Sequence, residues 1–132
     1  MKKILQLAFI LVLSSVSIKS FSQKTDCQKF KNGTFEFIGK DSTVEYIIIR
    51  KGDLQKEQVF GEKTYYTFNV KWIDDCTYVL TMTKKTSKIL SDIPSDMAIT
   101  VHIISTTGDS YIQNSSSNYS KDILKGKMRK IK

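Results

Sequence analysis

The sequence predicts an all-β domain: an antiparallel up-and-down meander of seven or eight strands that closes as a barrel or half-barrel, with a two-sheet sandwich as the alternative. Three observations lead there. Beyond the first two dozen residues the chain falls into short runs of β-branched and aromatic residues, such as GTFEFIG at 33–39 and TVEYIIIR at 43–50. Turn formers separate the runs, as in Lys51-Gly52-Asp53, Gly61-Glu62-Lys63 and Thr107-Gly108-Asp109, and short turns make successive strands antiparallel. No stretch of this region sustains a helical period.

The start of the chain is read apart from the fold. Lys2 and Lys3 precede an apolar run at 4–16, and Ser20-Phe21-Ser22 offers small residues for cleavage. That is the layout of a secretory signal peptide, residues 1–22, leaving one domain at 23–132. The run is shorter than the ~20 residues a spanning helix needs, so no transmembrane segment is expected after cleavage. Cys27 lies beyond polar residues, too far on for lipid attachment. The expected location is secreted or periplasmic, as a soluble chain rather than a lipoprotein. The net charge is +8, and Lys2, Lys3 and Lys19 of the leader contribute part of it. A moderately basic remainder is diagnostic of no partner.

Two cysteines remain, Cys27 and Cys76. In an exported chain an even count points to a disulfide, and two allow a single pairing. It would close a loop of about 50 residues, worth roughly 4 kcal/mol on the chain-entropy model. With no histidine nearby, the pair makes a poor metal site.

In chain order, residues 33–39 and 43–50 read as strands. Residues 54–60, LQKEQVF, form a more polar strand, exposed on one face or at a sheet edge. Residues 65–83 form a hairpin around Asp74-Asp75-Cys76. Its first arm puts Tyr66, Phe68, Val70 and Trp72 on one face; its second puts Tyr78, Leu80 and Met82 on one face. A two-residue turn at Asp74-Asp75 would place these sets on opposite faces. An odd-length loop or a bulge restores Trp72 opposite Tyr78, Val70 opposite Leu80 and Phe68 opposite Met82. Residues 84–94 are a longer connection, with a helical turn conceivable at 87–92. Residues 95–106 form a strand with Met97, Ile99, Val101 and Ile103 on one face. Residues 111–113 begin a shorter strand, 114–120 read as a polar loop, and 121–132 close the chain, with 122–127 a second place for a helical turn.

Little here suggests catalysis. The single histidine, His102, falls on the face opposite the apolar set and has no nucleophile in phase with it. Asp74-Asp75 reads as a turn. Glu36, Glu45 and Glu57 each sit alone on a strand, and neither a nucleophile-elbow motif nor a phosphate loop occurs. The expectation is no catalytic residue, no metal and no cofactor. The basic tail, with Lys125, Lys127, Arg129 and Lys130, alternates with Leu124, Gly126 and Met128. That is a last strand with charged outward residues rather than a nucleic-acid site.

The interior face remains. Phe35, Phe37, Tyr46, Phe68, Val70, Trp72, Tyr78, Leu80 and Met82 either fill a core or line a cavity for one small apolar ligand or lipid. Trp72 and Phe68 would be the main contacts. The ligand-binding reading needs a connected cavity of roughly 300 Å³ or more. The alternative is a filled core in a protein-interaction or envelope-structural module.

The series Cys27, Phe30-Lys31-Asn32-Gly33-Thr34-Phe35 and Val70-Lys71-Trp72, Cys76-Thr77-Tyr78-Val79-Leu80, closing with Gly126-Lys127-Met128, resembles a family of short secreted proteins of Bacteroidetes-type bacteria. The resemblance spans nearly the whole of 23–132. It implies a lipocalin-like fold and supports the Cys27–Cys76 bridge. The family's biochemical function is uncharacterised, so no catalytic residues carry over. Some such chains bear a DNA topoisomerase label, which a domain with no nucleotide loop and no room for a DNA gate cannot support.

Overall fold

The computed structural model describes residues 25–132; the expected signal peptide at 1–22 lies outside them. The chain opens with a 3₁₀ turn, Gln28–Phe30, followed by strands β1 (Gly33–Ile38), β2 (Val44–Lys51), β3 (Leu54–Val59), β4 (Tyr65–Asp74) and β5 (Thr77–Met82). A short helix, α1 (Lys84–Ile89), precedes β6 (Ala98–Thr107), β7 (Ser110–Ser117) and β8 (Leu124–Lys130). Every strand pairs antiparallel with its sequence neighbour, and β8 returns to β1, so the sheet is a closed barrel. Phe35 faces Lys130 and Phe37 faces Met128 across the closure. The sandwich alternative is thereby excluded, and no strand is an edge. For residues 54–60 the edge alternative is corrected: β3 lies between β2 and β4, hydrogen-bonded on both sides.

Directly opposite residues of an antiparallel pair share a face. The registers therefore trace belts around the interior. Phe35, Ile48, Glu57 and Tyr66 are linked partner to partner across β1 to β4. Trp72, Tyr78, Val101 and Ser115 are linked likewise across β4 to β7. In the central hairpin Phe68 pairs with Met82, Val70 with Leu80 and Trp72 with Tyr78, while Asp74 pairs with Thr77. Ile73 is the extra residue, a bulge that keeps both apolar sets inward as the periodicity requires. The tight turn is held by Asp74 Oδ1, which accepts from the Cys76 backbone N–H at 2.9 Å.

Three expectations of local structure are corrected. Residues 114–117 are not loop but the second half of β7, held by β6 on one side and β8 on the other. Pairing with β6 along the segment and with β8 at Asn114 and Ser115 overrides the turn preference of its serines and asparagine. The helix falls at Lys84–Ile89, earlier than 87–92, because Thr83 is its N-cap: its hydroxyl accepts from Thr86 N–H at 3.3 Å. No helix forms at 122–127, where β8 begins.

The two ends of the barrel differ. At one end lie the β2–β3, β4–β5 and β6–β7 turns. Phe30 of the 3₁₀ turn is fully buried there, with its ring 4.8 Å from that of Tyr111. Cys27 and Cys76 lie at disulfide distance, Cα–Cα 5.3 Å, fastening this plug to the hairpin corner. At the other end are the longer connections. Here α1 docks on β4 and β5, where Thr67 N–H donates to Thr86 Oγ1 at 2.7 Å. Leu90, Ile93 and Met97 of the following segment pack against the core. One end is plugged; the other is only partly covered.

Replacing Cys27 and Cys76 by serine is expected to cost about 2–4 kcal/mol in urea unfolding, since 49 residues separate them. Hydrogen exchange should rise first at Phe30 and the hairpin corner, with the open end unaffected.

Candidate functional site

The plugged end is organised by a side chain that hydrophobic periodicity alone passes over. Arg50 follows Tyr46 and Ile48 in phase along β2 and so points inward, where it is 1% exposed. Each guanidinium nitrogen donates to the protein. Nε bonds Gln55 Oε1 at 2.8 Å and Nη1 bonds the Phe30 carbonyl at 2.7 Å. Nη2 reaches the hydroxyls of Tyr78 at 2.8 Å and Tyr111 at 3.3 Å. The guanidinium carbon also lies 4.4 Å from the Tyr78 ring centre and 5.0 Å from that of Phe35. A buried cation needs this degree of satisfaction.

Above this network the barrel holds a cavity of about 290 Å³. Phe37, Ile48, Leu80, Val101 and Met128 give it apolar wall. Tyr78, Gln55, Glu57, Gln113 and Ser115 give it polar wall. Tyr46, Ile99 and Leu124 contribute from the open end. Phe37 and Tyr46 meet edge to face, ring centres 5.9 Å apart. Phe37 can lie against β8 because residue 126 is glycine; a side chain there would overlap the ring.

Glu57 is the charged group of this wall. Its Oε1 accepts from Gln55 Nε2 at 2.7 Å, and Gln55 in turn accepts from Arg50. Burial pushes the Glu57 carboxyl above its usual range, against the Gln55 hydrogen bond and the nearby Arg50 charge. By surface area Glu57 is half-buried, which fits a carboxylate enclosed by the barrel wall with its remaining surface facing the cavity. Burial likewise drives the Tyr78 phenol well above its usual range, so it stays neutral as a hydrogen-bond partner.

Of the interior residues named from the sequence, Phe37, Tyr46, Tyr78 and Leu80 line this cavity. Phe35, Phe68, Val70 and Met82 belong to the packed core instead. Trp72 lies toward the plugged end, its ring 4.7 Å from Tyr78 and beneath Lys31 Nζ at 5.1 Å. Trp72 and Phe68 are thus not among the lining residues, and Tyr78 stands between Trp72 and the cavity. Sequence reasoning missed Arg50, Gln55 and Glu57. Glu57, read as solitary, is the end of the Arg50–Gln55–Glu57 chain. The signal was present: Gln55 and Glu57 keep a period of two, and Arg50 keeps the phase of Ile48.

The other candidates stay structural. His102 is exposed on the outer face, with Nδ1 2.9 Å from Thr77 Oγ1. Asp75 accepts from Gln28 Nε2 at 2.7 Å and lies 3.9 Å from Lys31 Nζ, stitching the corner to the plug. In β8, Met128 is buried while Arg129 pairs outward with Glu36. Among the described residues no cluster of three or more His, Cys, Asp or Glu could hold a metal ion.

Arg50→Ala would strand the Phe30 carbonyl, Gln55 and two tyrosine hydroxyls, and is expected to cost on the order of 3 kcal/mol or more in chemical unfolding. Glu57→Gln should act in the opposite direction. A carboxyl whose folded pKa is raised binds protons more readily folded than unfolded, so its charge destabilises the fold once pH exceeds the unfolded value. The variant should therefore be the more stable protein at neutral pH. The difference should disappear as pH falls below the unfolded carboxyl range, as thermal melts across pH will read.

Compared with known proteins, the chain matches no family model, no curated protein and no solved structure.

Proposed function

We propose that this chain is an exported, non-enzymatic binding protein that takes a small apolar molecule, or the acyl end of a lipid, into the open end of the barrel. The observation that carries the reading is the cavity of about 290 Å³, with one apolar wall and a few convergent polar groups. Its size sits at the lower limit of ~300–1,000 Å³ typical of ligand pockets. An eight-stranded barrel is just wide enough to hold one small ligand. Membership of the short, lipocalin-like secreted family is part of the same proposal. So is export, which is supported by the leader-like residues 1–22 and the cysteine pair; no helix among the described residues is long and apolar enough to cross a membrane.

One observation favours a second reading, a protein-interaction module. Apolar side chains stand exposed on the connections at the open end, among them Phe60 at 62% and Ile123 at 69%. Exposed apolar residues in such a group serve a partner as well as a ligand entrance.

Native mass spectrometry of the purified protein, with titration of the neutral fluorophore N-phenylnaphthylamine, tests the first reading. The expected result is a retained small molecule or saturable probe binding. Ile99→Trp, which places an indole in the entrance, should abolish probe binding with the melting temperature changed by only a few degrees. No retained mass and no probe binding would transfer the case to the interaction module.

A further inference from the structure

The cavity's accessible charge is negative, although the strongest charge near it is a cation. Arg50 is sealed behind Tyr78 and Gln55, with every nitrogen donating to the protein. Nothing entering the barrel meets its guanidinium. Glu57 is placed the other way. Its Oε1 is taken by Gln55, and no hydrogen bond engages its Oε2 among the described residues. No buried side-chain oxygen or nitrogen among them lacks a partner, so Oε2 must reach open space, and the space Glu57 lines is the cavity. Gln55 turns its donating amide toward Glu57 and its accepting oxygen toward Arg50, fixing which end of the relay is anionic.

We infer that the cavity is built for a small amphipathic amine: a protonated nitrogen at Glu57 Oε2, with a short hydrocarbon body along Phe37, Ile48, Leu80 and Met128. The inference rests on the ligand-binding reading and specifies its ligand class. An ammonium supplies the cation that Glu57 lacks at contact distance, since Arg50 reaches it only through Gln55. A charge-assisted hydrogen bond in a partly dried site is worth more than the same bond to a neutral hydroxyl. A carboxylate-headed ligand, by contrast, would meet Glu57 as a like charge. The raised Glu57 carboxyl agrees with a group whose partner arrives from outside.

The test is competition against N-phenylnaphthylamine by n-octylamine, n-octanol and octanoate, which share a chain length and differ in head group. The expected order is octylamine tightest, by about tenfold or more over octanol, with octanoate weakest. Glu57→Gln should bring octylamine to within about twofold of octanol, the two compared in the same variant. The preference should also fade in the native protein as pH is lowered through the Glu57 titration, because a protonated carboxyl offers no counter-charge. The groups facing Glu57 from neighbouring elements are Arg50 and Tyr46 on β2, Tyr66 on β4 and Tyr78 on β5. None of them is a carboxylate or an imidazole, so the pH profile isolates Glu57 whatever the variant does. Equal affinity for octylamine and octanol, or tighter octanoate, overturns the amine inference and leaves a binding protein. Bound probe that none of the three displaces overturns this inference alone, whereas no retained molecule and no probe binding overturns the binding reading with it.

Discussion

The guanidinium of Arg50 is the constraint on which the closed half of the molecule depends. It draws to one point the carbonyl of the 3₁₀ plug, the amide of β3 and the hydroxyls of β5 and β7. Those elements are distant in sequence, and the aromatic side chains around the cation are what the plugged end packs against. A buried ion is a poor source of net stability. What it supplies is exclusivity: a register slip in β2 would turn the charge outward and strand four acceptors at once. The disulfide and the Phe30 plug then act on an end that is already specified.

Two paired neighbours and a place in the barrel wall explain why a polar strand can be structural. LQKEQVF turns one glutamine and one glutamate inward, Gln55 and Glu57. Between β2 and β4 the same residues become an internal relay from Arg50 to the cavity. The relay also divides the interior by chemistry. Below it the space is filled by rings and the disulfide; above it the wall carries Glu57, Gln113 and Ser115 amid aliphatic side chains. Small residues matter on that wall. Ser115 on β7 leaves room where a larger side chain would fill the barrel, and Gly126 on β8 gives its place to the Phe37 ring.

Much of this architecture was legible in the sequence, and the failures have physical causes. Alternation in β1, β4, β5 and β6 defined inward faces, and the parity conflict at Asp74–Cys76 demanded a bulge, which Ile73 supplies. The cysteine pairing followed from count and the expected compartment. Residues 114–117 were misread because serine and asparagine carry turn propensity, while their strand conformation comes from neighbours on both sides, a tertiary effect. The polar interior was missed because hydrophobic periodicity counts only apolar residues. Arg50, Gln55 and Glu57 keep the phase of the core but break its chemistry. Trp72 attracted attention as the single tryptophan, yet its ring packs against Tyr78 and beneath Lys31 rather than on the cavity.

The C-terminal residues add one more strand-like contact. Thr34 N–H donates to the Lys132 carbonyl at 2.8 Å, and Ile131 N–H donates to the Thr34 carbonyl at 2.8 Å. Thr25 lies beside Cys76, its carbonyl 4.0 Å from the sulfur. Both limits of the described chain therefore emerge at the plugged pole. An affinity handle for surface immobilisation joined at Lys132 starts from the side opposite the partly covered end. Tethered there, the barrel still presents its partly covered end to the medium.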